Sequence, residues 1–157
     1  MVELFEDHVR QFDRHSSKGN QLKWECDGVW YKADYTGYEG LAEYVISQLL
    51  KKSTLDKNEF VVYELEQIKY KRQIFNGAKS NDFPTIMLAE VQAKTVCASF
   101  EEALDAAEKL YGYHLKFSFA KSDVGKLIDS AGIYSDEEKR RVETIIFQQM
   151  RKYQYLF

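Results

Sequence analysis

Proline is nearly missing from this chain: Pro84 is the only one among 157 residues, which excludes proline-rich linkers. Cysteine is almost as scarce. Cys26 and Cys97 alone cannot hold a zinc ion, and in a chain of this size they read as buried thiols rather than a disulfide. The three histidines, His8, His15 and His114, stand apart from both cysteines in the sequence, so a cysteine–histidine metal site is not expected. Positive charge has no surplus either. Lys and Arg number 22 against 25 Asp and Glu, a formal net charge of −3, and a general nucleic-acid binder needs excess cations to neutralise phosphates. No apolar run approaches the roughly 18 residues of a membrane span. The opening MVELFEDHVR lacks the basic-then-apolar layout of a signal peptide. These absences lead to the expectation of a soluble, cytoplasmic protein with no membrane partner.

Apolar material is plentiful by contrast. The chain is 45% hydrophobic and 15% aromatic, with Tyr 11, Phe 10 and Trp 2, which rules out intrinsic disorder. At this length a single ordinary core buries about 70% of the unfolded surface. Val2, Phe5, Val9 and Phe12 lie close to one helical face, predicting a short amphipathic helix over 1–14. Leu22–Cys26 and Val29–Ala33 flank Asp27-Gly28, a hairpin-turn dipeptide. Leu41, Tyr44, Val45, Gln48 and Leu49 follow at helical spacing, so 39–52 reads as a helix. Phe60–Leu65 reads as a strand, and Ile68–Ile74 as another before an Asn76-Gly77 turn. Phe83-Pro84 breaks the chain, and Ile86–Val96 is open between strand and helix. Ser99-x-x-Glu102 and Ser135-x-x-Glu138 are capping boxes, with Gly112 and Gly132 placed where helices stop. The expected class is α+β: an antiparallel sheet from the 21–34 hairpin and the 60–75 strands, packed on helix 39–52. That unit, residues 1–83, is followed by a mainly helical region, 84–157.

Three features stand in a suggestive order: Ser16-Ser17-Lys18-Gly19-Asn20-Gln21-Leu22-Lys23, a hairpin ending in Tyr31-Lys32, and a helix containing Glu43-Tyr44. Together they resemble the N-terminal lobe of HipA-like serine/threonine kinases, whose loop of the form Ser-x-x-Gly-x-Gln-x-Lys precedes a strand with a nucleotide-contacting lysine and a helix with a Glu-Tyr pair. Asn76-Gly77-Ala78-Lys79-Ser80-Asn81-Asp82-Phe83 is similar to a Gly-x-x-Ser-x-Asn-Phe passage of clostridial-type members. The resemblance covers residues 16–83. It implies ATP with Mg²⁺ as cofactor, with Ser16, Ser17, Gly19, Gln21, Lys23, Lys32 and Glu43 as nucleotide-site residues and Ser16 as the loop serine that is phosphorylated. The implied partner is a C-terminal kinase lobe or another protein. Physical chemistry agrees in outline: phosphates need close backbone donors, which Gly19 permits, and a cation, which Lys32 supplies. Kinases further need an acidic residue on a packed helix to hold that lysine, and Glu43 is the candidate.

The family's catalytic Asn-x-Asp-Arg-His-x-x-Asn loop has no counterpart after Gly112. Asp13-Arg14-His15 spells its centre, but Asn20 comes five residues after His15 rather than three, and the tripeptide precedes the nucleotide loop. Only the late helix ending Tyr153–Phe157 is similar to the one leading into that catalytic loop. The expectation is a lobe not catalytic on its own, the alternative a non-enzymatic interaction module on the same scaffold. Isolated Lys32 and Glu43 would be a solvated strand residue and a solvated helix residue, and the 16–20 segment a plain turn. Elsewhere, Glu101, Glu102, Asp105 and Asp136–Glu138 sit in helix first turns, where they complement the dipole. Tyr63, Tyr70 and Phe75 among Lys69, Lys71 and Arg72 fit one face of a sheet with lysines shielding its edge, or a stacking surface for single-stranded nucleic acid, the less favoured reading.

Overall fold

The structure, a computed structural model, describes residues 1–10, 21–54, 56–57, 60–81 and 120–150, apart from the side chains of residues 121 and 148–150. The Asp13-Arg14-His15 tripeptide, the boundary at 83, the 86–96 segment, Cys97, the Ser99 cap, Gly112, His114 and Tyr153–Phe157 lie outside these residues.

Strands β2 (Lys23–Cys26) and β3 (Val29–Ala33) form the expected hairpin, with Trp24 opposite Tyr31. Asp27 and Gly28 turn it with φ of 52° and 78°, the double left-handed geometry that matches strand twist. Helix α1 spans Glu39–Leu50, two residues shorter than expected because Lys51 and Lys52 close it in a turn. Strands β4 (Glu64–Tyr70) and β5 (Gln73–Ser80) pair antiparallel, and β5 pairs in turn with β3. The turn between them is Lys71-Arg72, both at positive φ, rather than Asn76-Gly77, which lies inside β5. Both predicted strands are therefore displaced. Phe60, Val61 and Tyr63 are buried but lie outside the sheet, because the Tyr63 backbone bonds to side chains of α1: its N–H donates to Ser47 Oγ (3.1 Å), and its carbonyl accepts from Gln48 Nε2 (3.2 Å).

The N-terminus also departs from expectation. Val2–Glu3 is a strand, β1, and Glu6–His8 a 3₁₀ turn, so no helix forms over 1–10. Alternation wins over the helical stripe: Leu4 is 2% exposed with its N–H on the Lys69 carbonyl (2.9 Å), whereas Phe5 is exposed. Because β1 runs parallel to β4, the sheet is mixed rather than purely antiparallel, in the order β1-β4-β5-β3-β2. The class is α+β.

The sheet carries a core on each face. Leu4, Trp24, Tyr31, Ala33, Ile68 and Tyr70 cluster on one side. On the other, Leu41, Val45 and Leu49 of α1 pack with Phe60 and with two further helices, α2 (Lys121–Asp129) and α3 (Asp136–Met150). The predicted Ser135–Glu138 box opens α3: Glu138 Oε2 accepts from the Ser135 N–H (2.9 Å), and Ser135 Oγ from the Glu138 N–H (3.3 Å). The turn between α2 and α3 reaches back to the sheet. Tyr134 donates its hydroxyl to Asp34 Oδ2 (2.7 Å), and Asn76 donates to the Ile133 carbonyl (2.9 Å).

Candidate functional site

Alternation along β3 decides where Lys32 points. Tyr31 and Ala33 enter the core on the face away from α1, so Lys32 projects toward the helix. On α1, Glu43 stands among Leu41, Val45 and Ile46, and its carboxylate reaches the strand. Lys32 Nζ lies 2.9 Å from Glu43 Oε1, joining strand to helix as expected. The pair is more buried than a partly hydrated surface contact: side-chain exposure is 16% for Lys32 and 4% for Glu43. The reason is that α1 packs against β4 and β5, so a residue at the edge of its apolar stripe is still covered.

A third residue completes the cluster. Lys32 Nζ donates to Tyr63 Oη (3.0 Å) and sits 4.7 Å from the centre of that ring, a cation–π distance. Ser47, one turn after Glu43 and equally buried, holds the Tyr63 backbone in place while donating its own hydroxyl to the Tyr44 carbonyl (2.9 Å). Neither Tyr63 nor Ser47 was expected here. The available signal was the i, i+4 spacing of Glu43 and Ser47, two polar residues inside an apolar helix face.

Electrostatics follow from this packing. Burial opposes the Lys32 charge, but the Glu43 carboxylate and then Tyr63 outweigh it, so the lysine's pKa is raised and the ammonium stays charged. Burial raises the Tyr63 phenol, with Glu43 adding to it. Lys23, directly opposite Lys32 in the hairpin register, is pushed the other way: burial and then the positive charge of Lys32 lower its pKa, while Glu43 pulls it up. Glu43 Oε2 is buried and accepts no hydrogen bond among the described residues.

Lys23, Lys32 and Glu43 are thus brought to one face of the sheet. Gln21, just before β2, is half-buried, and the neighbouring Leu22 carbonyl extends the hairpin by accepting from the Ala33 N–H (3.0 Å). Ser16, Ser17 and Gly19 lie outside the described residues.

Two other expectations change in space. Cys26 is only half-buried, and His8 approaches its sulfur at 3.6 Å. Nδ1 of that ring accepts from the Phe5 N–H (3.1 Å), which leaves the proton on Nε2 facing the thiol. Such a histidine cannot take the thiol proton, and burial followed by Asp27 raises the Cys26 pKa, so this is not an activated nucleophile. No group of three metal ligands occurs among the described residues. Tyr63 and Tyr70 are buried, the latter edge-on to Trp24 at 5.2 Å, so neither ring is displayed for stacking. No helix among the described residues is long and apolar enough to cross a membrane. Comparison with protein-family models, curated proteins and solved structures finds no match to this chain.

Proposed function

We propose that this chain is a HipA-like kinase N-terminal lobe that grips the phosphates of ATP–Mg²⁺ and contributes to catalysis only with a partner lobe. The observation that carries the reading is the Lys32–Glu43 contact of 2.9 Å, a strand lysine held by a glutamate of the helix that follows. Protein kinases require that geometry, with a strand lysine paired to a helix glutamate so that the ammonium is aimed at nucleotide phosphates. The connectivity supports it too: a hairpin, a helix inserted after the lysine strand, then a second hairpin whose last strand pairs beside the lysine strand. In this arrangement Lys32 supplies the charge, and Glu43 and Tyr63 fix its direction.

The test is equilibrium binding of ATP–Mg²⁺ to the whole chain. Lys32→Met removes one charge-assisted hydrogen bond to phosphate, worth about 1.5–3 kcal/mol, and weakens binding roughly 10- to 100-fold with the circular dichroism spectrum unchanged. Binding that is absent in the parent chain, or indifferent to Lys32→Met, overturns the reading. The pair then acts as a tie between strand and helix.

A further inference from the structure

Two lysines meet on one face of the β2–β3 hairpin in opposite circumstances. Lys32 is held: among the described residues its ammonium donates to Glu43 Oε1 and Tyr63 Oη, which leaves one of three N–H donors to spare. Its side chain is still 16% exposed, so that donor is within reach of a ligand. Lys23 stands directly across the ladder, and registered partners in an antiparallel pair project to the same face. It is half-buried, yet its ammonium has neither a hydrogen bond nor an ion pair among the described residues. A like charge opposite and no acceptor beside it is the arrangement a protonated lysine tolerates least.

The proton that yields is that of Lys23. Lys32 keeps its own, because a 2.9 Å contact joins it to a carboxylate whose side chain is only 4% exposed. Lys23 has no such hold. Burial and then the Lys32 charge lower its pKa, and Glu43 of α1 only partly offsets them. The other titratable group of the cluster is Tyr63, whose phenol burial and Glu43 keep protonated. A lysine desolvated beside a second cation is an activated amine nucleophile.

We propose that Lys23 is a covalent binding site for 2-oxo acids, its amine condensing with the keto carbon while the Lys32 ammonium takes the carboxylate. Those two groups are adjacent in such a ligand, and ladder partners have Cβ atoms about 4.5–5.5 Å apart, so one small molecule spans both lysines. The amine lone pair forms the C–N bond as the carbonyl π pair moves onto oxygen. That oxygen leaves as water with two protons, one from the amine nitrogen and one from solvent. The product is a positively charged iminium, and nothing is oxidised or reduced. Lys32 stays on Glu43 throughout and uses only its spare donor. This chemistry goes beyond ATP binding and does not rest on it, because both lysines face each other without any nucleotide.

The test labels the full chain with pyruvate or with acetone, cyanoborohydride reducing each iminium to a stable secondary amine that peptide mass mapping locates. At pH 7 pyruvate is expected to label Lys23 severalfold faster than the exposed Lys51 and Lys57. At about pH 11, above the ordinary lysine pKa of about 10.4, that excess shrinks. Acetone has no carboxylate, so the pyruvate-to-acetone ratio at Lys23 exceeds the ratio at Lys51 and Lys57. Lys32→Met removes both advantages, whereas Lys32→Arg keeps the charge and the faster labelling. Labelling of Lys23 no faster than the exposed lysines at pH 7 overturns the proposal. So does an excess undiminished at about pH 11, a pyruvate-to-acetone ratio no higher than at the exposed lysines, or an excess that survives in a folded Lys32→Met chain. The parent chain alone supplies the first three readings, so they decide the matter whatever the folding of the variants.

Discussion

Gly77 has no functional group, yet it governs the position of Lys32. It sits opposite Ala33 in the β3–β5 ladder, and a methyl group there would run into the Lys32 carbonyl. On the helix side, a methyl on Gly40 would lie 2.6 Å from the Gly77 carbonyl carbon. Backbone and helix approach so closely because neither glycine carries a side chain. Gly77→Ala is expected to cost about 1–3 kcal/mol through overpacking, read as a lowered urea midpoint with unchanged slope. A neutral substitution would mean the ladder has slack there. This glycine also explains what the sequence concealed. Asn-Gly is a strong hairpin signal, and it drew the expected turn to 76–77, whereas the glycine serves a close approach and the turn falls on Lys71-Arg72 at φ 46° and 67°. Lys32 and Glu43 were legible because β3 alternates and α1 is periodic. Tyr63 was not, since its place depends on side-chain bonds to α1 that no local pattern encodes.

Among the elements, the turn joining α2 to α3 is tied to the β3–α1 connection through one carboxylate. Asp34 accepts from the Tyr134 hydroxyl (2.7 Å) and from the Gly40 N–H (2.6 Å). Burial nevertheless pushes its pKa up to about 7, with the charges of Glu39 and Glu43 adding to the effect and the two hydrogen bonds opposing it. An aspartate in the unfolded chain titrates near 3.9, so folding takes up a proton between these values. The favourable contribution of Asp34 is complete below about pH 4 and is lost as pH rises through about 7. Asp34→Asn keeps an acceptor for Gly40 and does not titrate. Relative to the parent chain, its urea midpoint should therefore be higher at pH 8 than at pH 5, the difference amounting to about 2 kcal/mol. A difference that does not grow with pH would place the Asp34 charge in solvent. Periodicity located α1 and a capping box located the start of α3, while α2 was not delimited and the attachment of these helices to the sheet, made by residues 100 positions apart, was beyond any sequence window.

On the scale of the whole molecule, one sheet separates two cores, and only the one beneath α1 was anticipated. The opposite face is closed by residues assigned beforehand to a helix. Leu4 is the clearest case, and Leu4→Ala should lower stability by about 2–5 kcal/mol in chemical denaturation, far more than Phe5→Ala beside it. Equal losses at the two positions would restore the helical reading of the N-terminus. Alternation over three residues is too short to compete with a four-point helical stripe, and for that reason the strand was missed. Its pairing with β4 also sets a clock. Val2 and Glu3 wait for Ile68 and Lys69, and ribosomes add roughly 5–20 residues per second, so the nascent chain leaves Leu4 uncovered for several seconds. During that interval Val2 to Leu4 wait unpaired, open to whatever binds apolar segments at the ribosome exit.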